Sequence, residues 1–416
     1  MIEISEKKEK FVLIGVSVGD TYKNGKILKD DTAESIEELK ELVRTAGGET
    51  VGVMIQNREQ IDKGTYFGTG KVLELKELID SVGATGIVCD DELTPAQISG
   101  LEDALDVKIC DRTQIILDIF AQHAVTAEGK IQVELAQLEY RRSHLIGTGR
   151  AFTRQGGGIG TRGPGEKKLE TDRRLIKDKI AELNREINKI TVNRETTRAK
   201  RKKASVPTAA IVGYTNAGKS TLLNKITDAD VLEADMLFAT LDPVVRETVL
   251  SDGQKILLTD TVGFVRKLPH NLVDAFRSTL EEAKYADIII QVVDGSNPDY
   301  QKHMEVTYET LNELKVTGKT FITFFNKCDL ENDSDTRFRD TRADYVIQGS
   351  ALTGAGISEL KEILDKVIKE KRNYIERKFG FDEIPEIQKI RRFGQVISEE
   401  YREDGVYIKA YVDRQE

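Results

Sequence analysis

Residues Thr208–Ile226 read TAAIVGYTNAGKSTLLNKI. Small and β-branched residues lead into Gly213-x-x-x-x-Gly218-Lys219-Ser220, and Leu222, Leu223 and Ile226 follow at helical spacing. The segment therefore predicts a strand, a loop and a helix in that order. Glycines in such a loop let backbone N–H groups close around a polyphosphate. Lys219 can neutralise the β- and γ-phosphates, and the Ser220 hydroxyl can bind Mg2+. The setting between strand and helix carries more weight than the spacing alone. It predicts an α/β nucleotide domain built on a parallel sheet.

Four further elements follow in order on predicted strand ends. FATLDP places Thr240 in a loop where its hydroxyl can complete a Mg2+ shell once a γ-phosphate is present. KILLTDTVG is an apolar strand ending in Asp260, a carboxylate suited to the metal site, and the Gly263 N–H suits the γ-phosphate. FITFFNKCD ends a buried strand with Asn326, Lys327 and Asp329. A carboxylate there accepts both N1–H and the 2-amino group of guanine, a donor pair that adenine lacks. VIQGSALTG ends another strand, and the Ser350–Ala351 backbone can meet guanine O6. Five such elements in order predict a GTP-binding domain. Ras-type enzymes place a water-orienting glutamine directly after the glycine of the third element. Phe264 and Val265 stand here instead, so slow intrinsic hydrolysis is expected. Asn216 is a candidate for a K+ site or for a loop hydrogen bond. Lys267 and His270 are candidates for a partner contact or for plain solvation.

Working outward, 416 residues exceed one ordinary core, so several domains are expected. A hydrophobic content of 39% with 32% charged residues fits a soluble globular chain rather than a disordered one. No apolar run approaches the roughly 20 residues of a membrane span. The opening MIEISEKKEK has no apolar signal core, and Cys89, Cys110 and Cys328 are scattered, so the cytoplasm is the expected compartment. In residues 1–126, FVLIGVSV, ETVGVMIQ, TGIVCD and DVKIC read as strands, while TAESIEELKELVRTAG and TPAQISGLEDAL read as helices. That alternation predicts a small α/β domain. GTGK at Gly68–Lys71 lacks the spacing of a phosphate loop and reads as a turn before a helix. Residues 205–371 form the nucleotide domain, and 372–416 a small C-terminal α+β domain. The last segment, GVYIKAYV, alternates like a solvent-exposed edge strand.

Residues 127–204 differ from the rest. One predicted helix carries Ile131, Leu135, Leu138 and Leu145 on a face; a longer one carries Ile176, Ile180, Leu183, Ile187 and Ile190 in alternating steps of four and three. That is a coiled-coil seam and predicts an antiparallel helical hairpin. Its tip is GTGRAFTRQGGGIGTRGPG, Gly147–Gly165, rich in glycine and arginine and free of carboxylates. From Glu139 to Lys203 the chain holds 19 Lys/Arg against 8 Asp/Glu, although the whole chain carries −9, so the hairpin is the element suited to a polyanion. Arg150, Arg154 and Arg162 can clamp phosphates or stack on bases, Gly156, Gly157 and Gly158 permit close approach, and Phe152 could stack on an unpaired base. Gly158-x-Gly160-x-x-Gly163 is a formal dinucleotide fingerprint without the required preceding strand. The run KRKK at Lys200–Lys203 reads equally as an RNA contact or a charged linker.

GYTNAGKS, FATLDP, DTVGFVRKLP, NKCD and SALTG, behind GTGRAFTRQGGGIGTRGPGEKKLETDRR, resemble the HflX family of the Obg–HflX GTPases across nearly the whole chain. By that resemblance the nucleotide contacts are Gly213, Tyr214, Thr215, Asn216, Ala217, Gly218, Lys219, Ser220, Phe238, Ala239, Thr240, Leu241, Asp242, Asp260, Thr261, Val262, Gly263, Asn326, Lys327, Cys328, Asp329, Ser350, Ala351 and Leu352. Ser220 and Thr240 would be the magnesium ligands, and Lys219, Thr240, Asp260, Gly263 and Asn216 would serve catalysis. The resemblance implies a GTPase of low intrinsic activity that binds GTP and GDP, uses Mg2+ and, through Asn216, K+. It implies binding to the 50S subunit and the 70S ribosome, splitting of stalled ribosomes, and a hairpin tip that reaches ribosomal RNA. A monomer is expected. The other reading is an NTPase that assembles subunit precursors or remodels free RNA.

Overall fold

The computed structural model describes residues 8–23, 26–28, 30–145, 164–203, 206–227, 237–238, 241–250, 253–267, 277–330 and 338–413. The chain divides into two compact units: Met1–Asn188 with Arg266–Phe276, and Lys189–Val265 with Arg277–Glu416.

In the first unit β1 (Lys10–Ser17) is followed by a short hairpin, β2 (Thr21–Lys23) and β3 (Lys26–Leu28). Then come α1 (Thr32–Thr45), β4 (Glu49–Asn57), α2 (Thr69–Val82), β5 (Gly86–Cys89), α3 (Pro95–Leu105), β6 (Lys108–Asp111) and α4 (Arg112–His123). The sheet order is β4-β1-β5-β6, and every pair is parallel. Parallel neighbours cannot be joined by a hairpin, which is why a helix stands between successive strands. All but the first residue of β1 are buried, the mark of a strand covered on both faces. α3 begins with a capping box: Gln97 N donates to Thr94 Oγ1 at 3.3 Å, and Thr94 N donates to Gln97 Oε1 at 2.9 Å. The reading of GTGK as a turn before a helix is corrected here: only Gly68 is extended and precedes α2, while Thr69–Lys71 form the first turn of the helix itself.

Arg112, 1% exposed, donates to Asp90 at 2.9 Å and also pairs with Glu38. Arg266 is buried here and donates to Asp31 and Glu34 at 3.3 and 3.0 Å. Lys267 Nζ lies 2.5 Å from Asp90 and 2.7 Å from Asp91. Burial works against the Lys267 charge, but those two carboxylates outweigh it and hold the ammonium above the usual lysine range. Lys267 is thus paired with carboxylates of its own chain; His270 lies outside the described residues.

α5 (Ala127–His144) and α6 (Pro164–Lys203) follow. Leu135, Ile180 and Leu183 are buried together, with Ile131, Leu138, Ile176 and Ile187 packed around them. These are seam residues read from the sequence. The tip residues Arg150, Arg154, Gly156, Gly157, Gly158 and Arg162 lie outside the described residues.

The second unit holds β7 (Thr208–Gly213), α7 (Lys219–Thr227), β8 (Val244–Val249), β9 (Lys255–Asp260), α8 (Arg277–Tyr285), β10 (Ile288–Asp294), α9 (Tyr300–Glu313), β11 (Thr320–Asn326), β12 (Tyr345–Gln348) and α10 (Ile357–Glu370). Its sheet runs β12-β11-β10-β7-β9-β8, parallel except for β8. Alternate residues of β7 enter different cores. Ala209 and Ile211 pack with Leu222, Leu258 and Leu360, whereas Ala210 and Val212 pack with Phe264, Ile289 and Leu311. Such a sheet presents its functional loops at the carboxyl ends of the strands.

β13 (Arg372–Phe379), α11 (Ile384–Phe393), β14 (Gln395–Arg402) and β15 (Gly405–Asp413) complete the chain as an antiparallel sheet in the order β13-β15-β14. The edge reading of GVYIKAYV is corrected here, because β15 is central and bonds to a strand on each side. Its alternation has another cause. Val406, Ile408 and Ala410 pack with Phe379 and Ile387 of α11, which covers one face only. Among the described residues no helix is long and apolar enough to cross a membrane.

Candidate nucleotide site

The loop between β7 and α7 is shaped by close backbone approach. Gly213 has φ 150°, and a Cβ there would lie 2.2 Å from the Val292 carbonyl oxygen. Gly218, at φ 91°, would set a Cβ 2.2 Å from Asn326 Nδ2. Only glycine fits either place. Between them Asn216 takes φ 57°. Lys219 is 7% exposed, and its Nζ donates to the Tyr214 carbonyl at 2.8 Å, closing the loop on itself. Burial holds its ammonium down at about 8, and Asp260 opposes that shift.

Ser220 Oγ donates to Asp260 Oδ2 at 2.7 Å, and Asp260 is fully buried. A hydroxyl beside a carboxylate at the phosphate end of a loop is the hard oxygen set that suits Mg2+. Ser220 would hold the ion directly, with Asp260 behind it; when bound, Mg2+ supplies charge to the phosphoryl oxygens. Thr261 Oγ1 donates to the Ile211 carbonyl at 2.8 Å and fixes the start of the next loop to β7. Phe264 N donates to Gly213 O at 3.0 Å and Thr215 N donates to Phe264 O at 2.8 Å, so the glycine of this loop lies against the phosphate loop. Phe264 and Val265 are buried and apolar, consistent with the absence of a water-orienting side chain at either position.

At the base end Asn326, 3% exposed, donates from Nδ2 to the Ala217 carbonyl at 2.8 Å and accepts at Oδ1 from Ala351 N at 2.8 Å. One side chain therefore joins three loops predicted separately. Asp329 follows on a short 3-10 turn, Cys328–Leu330, with its carboxylate exposed and available to a base. Ser350 and Ala351 are buried beneath, whereas Leu352 is exposed. Phe238 and Leu241 are buried and Asp242 half-buried; Ala239 and Thr240 lie outside the described residues.

Two contacts were not legible in the motifs. Lys327, at φ 64°, places Nζ 2.7 Å from Asp294 Oδ2 at the end of β10. The Tyr214 ring stacks on His303 of α9, centroids 3.8 Å apart and 6° from parallel. An acidic residue closing the apolar run IIIQVVD was the one available signal for the first; the second had none.

A glycine-shaped loop closed by a buried lysine, a serine hydroxyl bonded to a buried aspartate and an exposed aspartate after Asn326, set on strand ends of one sheet, fit a P-loop GTPase. Residues 208–327 match the family described as 50S ribosome-binding GTPase, 33–121 the GTP-binding GTPase N-terminal family and 123–201 the GTP-binding GTPase middle region. GTPase HflX of Lacrimispora saccharolytica is 55% identical over 412 residues, covering 99% of this chain and 95% of that protein. GTPase HflX of Escherichia coli is 42% identical over 338 residues, covering 81% and 79%. The chain belongs to the HflX family of GTPases, and it hydrolyses GTP.

Proposed function

We propose that this GTPase binds the large ribosomal subunit in its GTP form and splits stalled 70S ribosomes, with hydrolysis driving release. The observation that carries this reading is the pairing of a closed phosphate loop, joined through Asn326 to the predicted base loops, with a predicted hairpin segment of strongly positive balance in an otherwise acidic chain. The ribosome-binding description of the matched family supports it. Arg150, Arg154 and Arg162 at the tip contact ribosomal RNA through phosphate clamps, while Gly156, Gly157 and Gly158 let the backbone approach. γ-Phosphate and Mg2+ order the loops around Thr240 and Asp260 and so favour the bound state. Asn216 holds a K+ ion that supplies positive charge to the transition state. The protein works in the cytoplasm as a monomer, and its four domains fall at 1–126, 127–204, 205–371 and 372–416.

Sucrose-gradient sedimentation of purified 70S ribosomes with the protein tests the central point. A non-hydrolysable GTP analogue should convert 70S particles to subunits, and GDP should not. Conversion of neither, with binding only to subunit precursors, would favour the assembly reading. Replacing the three tip arginines with alanine should weaken subunit binding and flatten its salt dependence, because phosphate contacts release counterions. Turnover that is the same in potassium and sodium would remove the K+ role.

A further inference from the structure

Lys327 takes a left-handed turn, φ 64°, between two residues of the base loop that have different tasks. A residue with a Cβ rarely rests in that region unless its surroundings hold it there. Before it, Asn326 is fixed by its two side-chain bonds. After it, Cys328 N donates to the Gly349 carbonyl at 3.1 Å, and Leu330 N donates to the Lys327 carbonyl at 3.0 Å, closing the turn that carries Asp329. The Asp329 carboxylate is exposed and has no partner among the described residues. The turn at Lys327 therefore sets the direction in which Asp329 leaves the strand end. What holds that turn comes from β10. Asp294 ends the strand as the register partner of Asn326, and Gly295 N donates to Asn326 O at 2.8 Å. Asp294 Oδ1 accepts from Ser296 N at 3.0 Å and from Ser296 Oγ at 2.6 Å. Those bonds orient the carboxylate so that Oδ2 meets Lys327 Nζ at 2.7 Å. The Lys327 and Asp294 side chains are 26% and 18% exposed, which spares the pair much of the solvent screening that weakens a surface ion pair.

We infer that Asp294 is a positioning residue for guanine: it holds Lys327 in the left-handed turn and so sets the Asp329 carboxylate against the edge of the base. This role rests on Asp329 as the carboxylate that receives N1–H and the 2-amino group. Accepting both donors at once requires a carboxylate placed to within about 0.5 Å, and such placement comes from the groups packed behind it. Asp294 acts through Lys327, and Ser296 acts through Asp294.

The test titrates the full chain with GDP and with inosine diphosphate, which lacks the 2-amino group and shares the ribose and both phosphates. Asp294→Asn keeps the side-chain volume and removes the charge that faces Lys327. It should lower GDP affinity about fivefold or more and inosine diphosphate affinity by less, so the preference between them narrows. Combined with Lys327→Met, it should add nothing to the loss from Lys327→Met alone. Equal losses for both nucleotides overturn the inference, since a disturbed phosphate site lowers both alike. Losses that add in the double variant overturn it too, because Asp294 would then act by another route. Asp329→Ala separates this inference from the reading beneath it. GDP affinity that survives Asp329→Ala removes base recognition by Asp329, and the role of Asp294 with it. A loss there beside an unchanged Asp294→Asn variant removes the role of Asp294 alone. If Asp294→Asn binds neither nucleotide, the two titrations run on Lys327→Met, which breaks the same pair from its other side and should narrow the same preference.

Discussion

A methyl group at position 263 would stand 2.8 Å from the Lys219 ammonium and equally close to Thr215, where no real Cβ sits. Gly263→Ala should therefore weaken binding of a non-hydrolysable GTP analogue at least tenfold, about 1.4 kcal/mol, while GDP binds nearly as before. Titration with the two nucleotides reads this directly, and equal losses for both would contradict it. Asn326 and Asp329 separate structure from recognition in the same loop. Asn326→Ala strands a buried carbonyl and a buried N–H, so denaturant unfolding of the nucleotide-free protein should report a loss of about 1–3 kcal/mol. Asp329→Ala should leave that midpoint in place, because the side chain is exposed, and should lower GDP affinity if the carboxylate receives the base as proposed. The sequence singles out Lys219, Ser220, Asp260 and Asp329 because the roles expected of them follow from spacing and strand-end position. It does not name Asp294 as the partner of Lys327 or His303 as the partner of Tyr214, since those pairings depend on which strand and helix lie alongside.

Among the elements, α4 of the first unit carries an electrostatic cost that pH exposes. Burial pushes the Asp118 carboxyl up, and Lys108 only partly offsets it. A carboxyl raised on folding binds its proton more tightly in the native state. Its protonation therefore adds stability that is full below the unfolded pKa and is lost as pH rises through the folded one. Asp118→Asn has no such titration. At neutral pH the variant should be the more stable, and the gap should narrow as pH falls toward about 4. Thermal melts across that range check it; a gap independent of pH would show that Asp118 is not strained by burial. Helix and strand identities here were legible because α3 is capped by Thr94 with Gln97 and β1 is apolar almost throughout. The central place of β15 was not, since one covered face produces the same alternation in an edge strand and a middle one.

For the whole molecule, two units with separate cores should answer a ligand separately. GDP at about 100 times its Kd adds roughly 2.7 kcal/mol to whatever binds it. Amide exchange should therefore slow in β10 and β11 of the second unit and stay unchanged in β1 and β5 of the first. Equal protection in both would mean that the units unfold as one body. Thr208–Ser220 and the loops ending in Asp260, Asp329 and Ser350 determined the class of fold and the nucleotide, because glycine sterics, strand patterning and the hydrogen-bond needs of guanine act over a few residues. The seam packed between α5 and α6 was equally local, a matter of helical period. Only the tertiary structure decided that Asn326 joins three loops, that Lys327 meets Asp294, and that Arg266 and Lys267 answer to carboxylates between Asp31 and Asp91. Such pairings are made between residues far apart in the chain, and only the packed core that brings them together can select them.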